Sequence, residues 1–236
     1  MNRRRFLQMT SGAAIAATAG AALAGDDSKA ESQTTHLRLG IDCYSIRDFN
    51  WKADQLLDYA VTVGADAIQV NLGDLESTDE EYLRQVKEHA ERVGVSIEPG
   101  INAISPLSGR WNPKRQGTPT EHLLLGLRLA KSLGAGCVKC YMGYAGDRRS
   151  TTPIPAMMDA AIEALKTVRT QALDAGVKFA VENHGDLLAR ELKTLIEEAG
   201  ADYVGCCLDT GNPVALAEDP LLTLEVLGPY AVTTHI

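Results

Sequence analysis

Glycines that follow helical segments recur along this chain, and a short apolar run comes after each of them. Successive junctions are 24 to 42 residues apart, which suits one helix, one loop and one strand per repeat. Glycine just past the last turn of a helix is the usual left-handed cap, because it lacks the Cβ that disfavours positive φ. The pattern therefore predicts repeated βα units. The junction glycines are Gly64, Gly94, Gly134, Gly176, Gly200 and Gly228.

The apolar runs are continuous rather than alternating, as is typical of parallel strands covered on both faces. We place seven strands at residues 37–43, 67–70, 95–97, 137–141, 179–181, 206–208 and 231–234. No Gly-x-Gly-x-x-Gly motif follows the first strand, so we predict an α/β fold of the (β/α)8 TIM-barrel type rather than a dinucleotide-binding sheet. Such a barrel usually needs about 250 residues. The chain stops at Ile236, directly after the seventh strand, so we expect a barrel truncated after strand 7 and inactive by itself.

Residues 1–24 have the features of a twin-arginine signal peptide. Arg3-Arg4-Arg5-Phe6-Leu7 precedes an uncharged, alanine-rich run, and Ala22-Leu23-Ala24 supplies an A-x-A cleavage site. The run is too weakly apolar for a membrane span, which needs about 20 strongly apolar residues. We expect export through the twin-arginine machinery to the periplasm or beyond, a flexible mature N-terminus at residues 25–36, and the incomplete barrel at residues 37–236.

The composition argues against nucleic-acid binding and against a disulfide framework. The formal net charge is −8, and it becomes −11 once the three arginines of the signal peptide are removed, leaving 20 basic residues against 31 acidic ones. So acidic a chain lacks the basic footprint of a nucleic-acid-binding protein. The five cysteines are an odd number and lie in apolar runs, so we interpret them as buried small hydrophobic residues rather than a disulfide framework.

Polar side chains stand at the ends of the last three predicted strands. Glu182 follows the apolar run at 179–181, Asp209 follows the run at 206–208, and His235 follows the run at 231–234. The carboxyl ends of parallel barrel strands share one face, so these side chains can converge. An oxygen-rich set with one imidazole suits a divalent ion such as Mn²⁺, Mg²⁺, Co²⁺ or Zn²⁺, and the ligand types do not choose among them.

The same stretches resemble a known family, the sugar phosphate isomerase/epimerase group of xylose isomerase-like TIM barrels. The similarity covers the mature chain, although the last motifs of the family are missing. It is carried by Cys43-Tyr44-Ser45-Ile46-Arg47, Val181-Glu182-Asn183-His184-Gly185, Leu208-Asp209-Thr210-Gly211-Asn212 and Thr234-His235-Ile236.

The resemblance implies one divalent metal held by Glu182, Asp209 and His235, with a final glutamate that has no counterpart in this sequence. It also implies proton transfer next to a carbonyl through a metal-stabilised enediolate, with Glu182 as a ligand and one acid/base group. The substrate is then a sugar or related polyol. Many family members have a histidine where this chain has Asn212, and asparagine cannot relay a proton.

Two alternatives remain open from the sequence. One is a keto-inositol-type dehydratase working at the same site, and the other is an exported carbohydrate-binding barrel without turnover. Which sugar is used, and whether the chain forms a homo-oligomer, is left undecided. His184 is a candidate substrate-binding residue. Lys139 could meet an anionic substrate if it points into the barrel, but the sequence does not decide its direction, and we prefer a structural interpretation. Arg148 and Arg149 are interpreted as solvated loop residues. Two long loops, at residues 102–120 and 142–155, could cover it.

Overall fold

A computed structural model describes residues 37–236 and confirms the predicted TIM-barrel architecture. Seven parallel strands form one sheet in which every strand pairs with its neighbours in chain order. The strands are β1 (Gly40–Asp42), β2 (Ala67–Asn71), β3 (Ser96–Ala103), β4 (Cys137–Tyr141), β5 (Lys178–Glu182), β6 (Val204–Asp209) and β7 (Ala231–His235).

Helices connect the strands and pack against the outside of the sheet. They are α1 (Ala53–Val63), α2 (Glu80–Val93), the short α3 (Pro113–Gln116), α4 (Pro119–Leu133), α5 (Ile154–Lys166), α6 (Arg169–Ala175), α7 (Ala189–Ala199) and α8 (Pro220–Leu227). Segments of 3-10 helix follow several strands, at Cys43–Phe49, Leu72–Asp74, Ala145–Arg149 and Asn212–Leu216, and one precedes β7 at Gly228–Tyr230.

Four of the six junction glycines are left-handed caps as predicted, and two are not. Gly64, the first of the four, has φ 70° and ends α1 by donating its N–H to the carbonyls of that helix. Gly200 instead has φ 129° and ψ 104°. Gly228 is right-handed, with φ −50°, because it opens the 3-10 turn that leads into β7. The prediction of a left-handed cap was wrong at these two positions.

The strand boundaries differ from the prediction mainly at β1 and β3. β1 has only three residues, while β3 continues through Pro99 to Ala103. Proline ends most strand predictions because it donates no ladder hydrogen bond. In β3 it pairs in register with Val70 of β2, and the ladder to β4 is irregular between Gly100 and Ala103.

Alternate strand residues face two separate cores. Val138 and Cys140 of β4 belong to the large cluster packed under the helices, whereas Cys137 lies with Ala180 and Cys207 in a small cluster inside the barrel. Cys137 and Cys140 therefore point to opposite faces, as their spacing predicts. All five cysteines are free and buried, which confirms that interpretation.

The sheet curls far enough for β7 to meet strands on the opposite wall. Thr233 Oγ1 donates a hydrogen bond to Glu98 Oε2 of β3 at 2.9 Å, and His235 Nε2 lies 2.9 Å from Gln69 Oε1 of β2. These contacts cross the interior, so the seven strands form a nearly closed barrel. The carboxyl ends of the strands therefore surround one shared space.

The predicted signal peptide at 1–24 and the predicted N-terminus at 25–36 lie outside the described residues. Among residues 37–236, no helix has the length and apolar character needed to cross a membrane.

Candidate metal centre

Side chains from the last three strands converge at the carboxyl end of the barrel. Glu182 ends β5, Asp209 ends β6 and His235 ends β7. Asp209 and His235 are direct partners in the parallel ladder. One donor atom from each of the three residues lies within 4.8 Å of the other two. His235 Nδ1 is 3.5 Å from Glu182 Oε1 and 3.7 Å from Asp209 Oδ2, so the structure brings the predicted trio together.

This donor set fits a divalent ion in chemistry and nearly in distance. Two carboxylates and one imidazole are ligands that Mn²⁺, Mg²⁺, Co²⁺ and Zn²⁺ accept. Ligand bonds of about 2.0–2.2 Å place two donors of one ion about 3 Å apart. The two donor pairs that include His235 Nδ1, at 3.5 and 3.7 Å, would therefore need to close by less than about 1 Å, which side-chain rotation can supply.

Hydrogen bonds from the neighbouring loops hold Asp209 in position. The side chain of Asn183 donates to Asp209 O at 2.8 Å and accepts from Asp209 N at 2.7 Å. Asp209 Oδ1 accepts from the backbone N–H groups of Gly211 and Asn212, both at 2.7 Å. These contacts occupy Oδ1 and leave Oδ2 facing His235.

The two oxygens of Glu182 have different partners. Oε1 accepts a hydrogen bond from Asn212 Nδ2 at 3.1 Å. Oε2 is 2.6 Å from Lys139 Nζ. No donor among residues 37–236 meets Oε2 at hydrogen-bonding angles, so this contact is an ion pair with an oxygen lone pair left unused.

Electrostatics makes His235 and Glu182 a charged pair. Burial alone would lower the pKa of His235, but contacts with Asp209, Cys207 and Glu182 raise it to about 12. Burial would raise the pKa of Glu182, but His235, Lys139 and His184 lower it to about 2. The imidazolium therefore occupies the position of a cation between two carboxylates, and a metal ion bound there would displace its proton.

A further hydrogen bond orients the imidazole of His235. Its Nε2 faces Gln69 Oε1 at 2.9 Å, which places Nδ1 toward the two carboxylates. Gln69 Nε2 in turn donates to Glu98 Oε2 at 3.4 Å, and this fixes which end of the amide faces the histidine. Partners of this kind set the tautomer and direction of histidine ligands in metal sites.

The match to a protein-family model decides the family of this chain. The model describes the xylose isomerase-like TIM barrel, and it matches residues 57–236, most of the chain and all three converging side chains. The chain belongs to this family.

Individual relatives in the family are distant. The uncharacterised protein YihM of Escherichia coli is 29% identical over 108 residues, which are 46% of this chain and 31% of that protein. The 3-oxo-isoapionate decarboxylase of Pectobacterium atrosepticum is 21% identical over 85% of this chain and 68% of its own length. A D-psicose 3-epimerase crystallised in the presence of D-fructose shares the fold, with a TM-score of 0.69, 16% identity, and coverage of 84% of this chain and 72% of the epimerase.

In this member of the xylose isomerase-like family, His184 lies beside the converging trio rather than within it. Its ring stacks on Tyr141 with centroids 4.5 Å apart and planes 22° apart. His184 Nδ1 is 3.2 Å from the carbonyl oxygen of Gly143. The stacked pair forms part of the wall at the carboxyl end of the strands, and a role for His184 in substrate binding remains a prediction.

The structure decides the direction of Lys139, which the sequence left open. The residue is buried, 7% exposed, and its side chain points into the barrel toward Glu182. Two signals in the sequence could have identified it. It is a single charge in an apolar strand, and it is two residues from Cys137 and from Tyr141, so all three share one face of β4. Gln69 and Glu98 were also missed, and they have the same inward direction on β2 and β3.

The two long loops are joined to each other above the strand ends. Asp147 is buried, and its carboxylate accepts hydrogen bonds from Ser108 Oγ at 2.6 Å and from Gly109 N at 2.9 Å. Arg148, which we interpreted as a solvated residue, instead forms a two-pronged ion pair with Glu191 of α7 at 2.7 and 3.2 Å. The sequence did not reveal these contacts, because each joins residues that are far apart in the chain.

Proposed function

We propose that this protein is a divalent-metal-dependent isomerase or epimerase of sugars. The observation that carries the proposal is the convergence of Glu182 Oε1, Asp209 Oδ2 and His235 Nδ1 at the carboxyl ends of three neighbouring strands. Active sites of TIM-barrel enzymes lie at this face. The likeness to a D-psicose 3-epimerase supports a sugar as the substrate class.

When bound, the ion would hold the carbonyl and hydroxyl oxygens of the substrate and stabilise the charge that develops when a proton leaves the adjacent carbon. The residues of the chain divide the remaining work. Asn183 fixes the backbone of Asp209, and Gln69 fixes the imidazole of His235. Glu182, which ends β5 beside the other ligands, is the group that would exchange a proton with the substrate.

The first test is metal content, measured on the 236-residue chain. After dialysis against a trace of Mn²⁺, elemental analysis should find about one ion per wild-type chain. Asp209→Asn should lose it, because the substitution removes a ligand charge without changing the shape of the side chain. Asp202→Asn is the matched control, since Asp202 is an exposed partner of Arg169 far from the site. Equal metal in wild type and Asp209→Asn would refute the proposal.

The second test is proton exchange catalysed by the protein. D-fructose and D-psicose in D2O are followed by NMR for deuterium uptake at the carbon beside the carbonyl. Metal-dependent uptake, absent in Glu182→Gln, is the expected result. Because an enzyme can return the proton to its substrate without exchange with solvent, product formation is measured in the same samples. Absence of both deuterium uptake and product, with every sugar tested, would contradict the epimerase assignment.

A second candidate is decarboxylation of a sugar-derived keto acid. It is favoured by the Pectobacterium relative, whose match spans most of this chain. Loss of carbon dioxide next to a carbonyl leaves the same kind of negative charge as loss of a proton, so one site can stabilise both. Carbon dioxide release from a 3-keto sugar acid, without epimerisation of D-fructose, would favour this candidate.

A further inference from the structure

Lys139 is a buried cation inside the barrel, and the proposed chemistry has not used it. The residue is 7% exposed, and its Nζ lies 5.4 Å above the centre of the Tyr141 ring. Burying an ammonium group is unfavourable by several kcal/mol unless a counter-charge lies next to it. Glu182 is that counter-charge, at 2.6 Å. The same carboxylate is therefore shared between Lys139 and the candidate metal site.

The two oxygens of Glu182 face different partners, one toward the candidate metal site and the other toward Lys139. Oε1 faces Asn212 at 3.1 Å and His235 at 3.5 Å, the side on which Asp209 also lies. Oε2 faces Lys139. An ion held jointly with Asp209 and His235 reaches Oε1 first. To bind both oxygens of Glu182, it would have to displace the ammonium group of Lys139.

We propose that Lys139 is a positioning residue that limits Glu182 to one ligand oxygen and thereby weakens the hold of the site on its metal ion. The inference rests on the proposed metal-dependent function. Its physical reason is competition, because a fixed positive charge at Oε2 offsets part of the negative charge that attracts the ion and repels the ion directly.

A purely structural role for Lys139 predicts a different outcome. If the ammonium only neutralises a buried carboxylate, its removal destabilises the fold and leaves the affinity for the ion unchanged or reduced. Competition predicts the opposite sign for affinity, because the neutral variant frees the second oxygen and removes the repulsion. Metal affinity therefore separates the two roles, whereas stability alone does not.

The test is calorimetric titration of the 236-residue chain with Mn²⁺ after removal of bound metal by EDTA and desalting. The variants are Lys139→Met and Lys139→Gln, and both remove the charge while keeping most of the length of the side chain. We expect each to bind Mn²⁺ at least about tenfold more tightly than wild type. Lys166→Met is the matched control, because Lys166 is an exposed partner of Glu163, and its affinity should stay within about twofold of wild type.

Unchanged or weaker binding by a folded Lys139→Met or Lys139→Gln variant would overturn the inference while leaving the proposed function intact. Absence of Mn²⁺ binding by wild type would remove both. If neither variant folds, the wild-type protein decides the question through crystals soaked in Mn²⁺. One Glu182 oxygen on the ion with Lys139 still beside the other supports the inference, and two oxygens on the ion with Lys139 displaced refutes it.

Discussion

Asn183 provides the sharpest test of how the candidate site is built. The residue is 3% exposed, and its side chain makes two hydrogen bonds with the backbone of Asp209, at 2.8 and 2.7 Å. Asn183→Ala removes both and leaves an N–H and a carbonyl at the tip of β6 without these partners. Each buried group left unpaired costs about 1–3 kcal/mol. Because the Asp209 side chain is 18% exposed, water can recover part of this, and we expect a total loss of about 2–4 kcal/mol.

The assay is urea unfolding of the metal-free protein, followed by Mn²⁺ titration of the folded variant. We expect a lower free energy of unfolding and at least about tenfold weaker Mn²⁺ binding, because Asp209 is no longer held toward His235. Asn212→Ala is the matched comparison, since it loses one side-chain hydrogen bond to Glu182 and should cost only about 1 kcal/mol. A loss below about 1 kcal/mol for Asn183→Ala, with unchanged Mn²⁺ affinity, would show that the strand alone positions Asp209.

Four further predictions concern the ion, the loops and export. The pKa of His235 is raised to about 12, and an ion binds only the neutral ring, so Mn²⁺ affinity should rise about tenfold per pH unit between pH 6 and 8. Calorimetric titration in buffers of different ionisation enthalpy should report about one proton released for each ion bound, and an Mn²⁺ affinity that does not change with pH would contradict this prediction. Gln69→Leu should weaken Mn²⁺ binding about tenfold or more, because the imidazole of His235 loses the hydrogen bond that orients it. Equal affinities of variant and wild type would show that this hydrogen bond does not orient the ring. Asp147→Ala should make the loop at residues 102–120 sensitive to limited proteolysis, because it removes the hydrogen bonds that Ser108 and Gly109 donate to Asp147. The affinity for Mn²⁺ should change little. We propose export by the twin-arginine route, so Arg3→Lys combined with Arg4→Lys should retain the protein in the cytoplasm in cell fractionation, and unchanged export would refute that route.

The features that could be predicted from the sequence are those that depend on local chemistry. Gly64 caps a helix because φ 70° excludes most side chains, and this requirement is visible in the sequence. The opposite directions of Cys137 and Cys140 follow from the alternation of side chains along any strand. Glu182, Asp209 and His235 could be placed together because each ends an apolar run, and parallel strands end on the same face.

The features that could not be predicted depend on partners far apart in the chain. Gln69 and His235 are separated by 166 positions, and their contact exists only because the sheet curls until β7 faces β2. Lys139 is a lysine in an apolar strand, and its role depends on Glu182 standing 2.6 Å away on the next strand.

The sequence by itself therefore determined the βα repeat, the parallel strands, the family and the three converging side chains, because spacing and alternation act over a few residues. Tertiary structure alone decided the electrostatics of the site. Barrel curvature and side-chain direction determine which oxygen of Glu182 meets Lys139 and which nitrogen of His235 faces the carboxylates. They also determine how Asp147 joins the two loops. Electrostatic energies inside a protein change steeply over a few ångströms, and distances of that size are established only when the whole barrel is assembled.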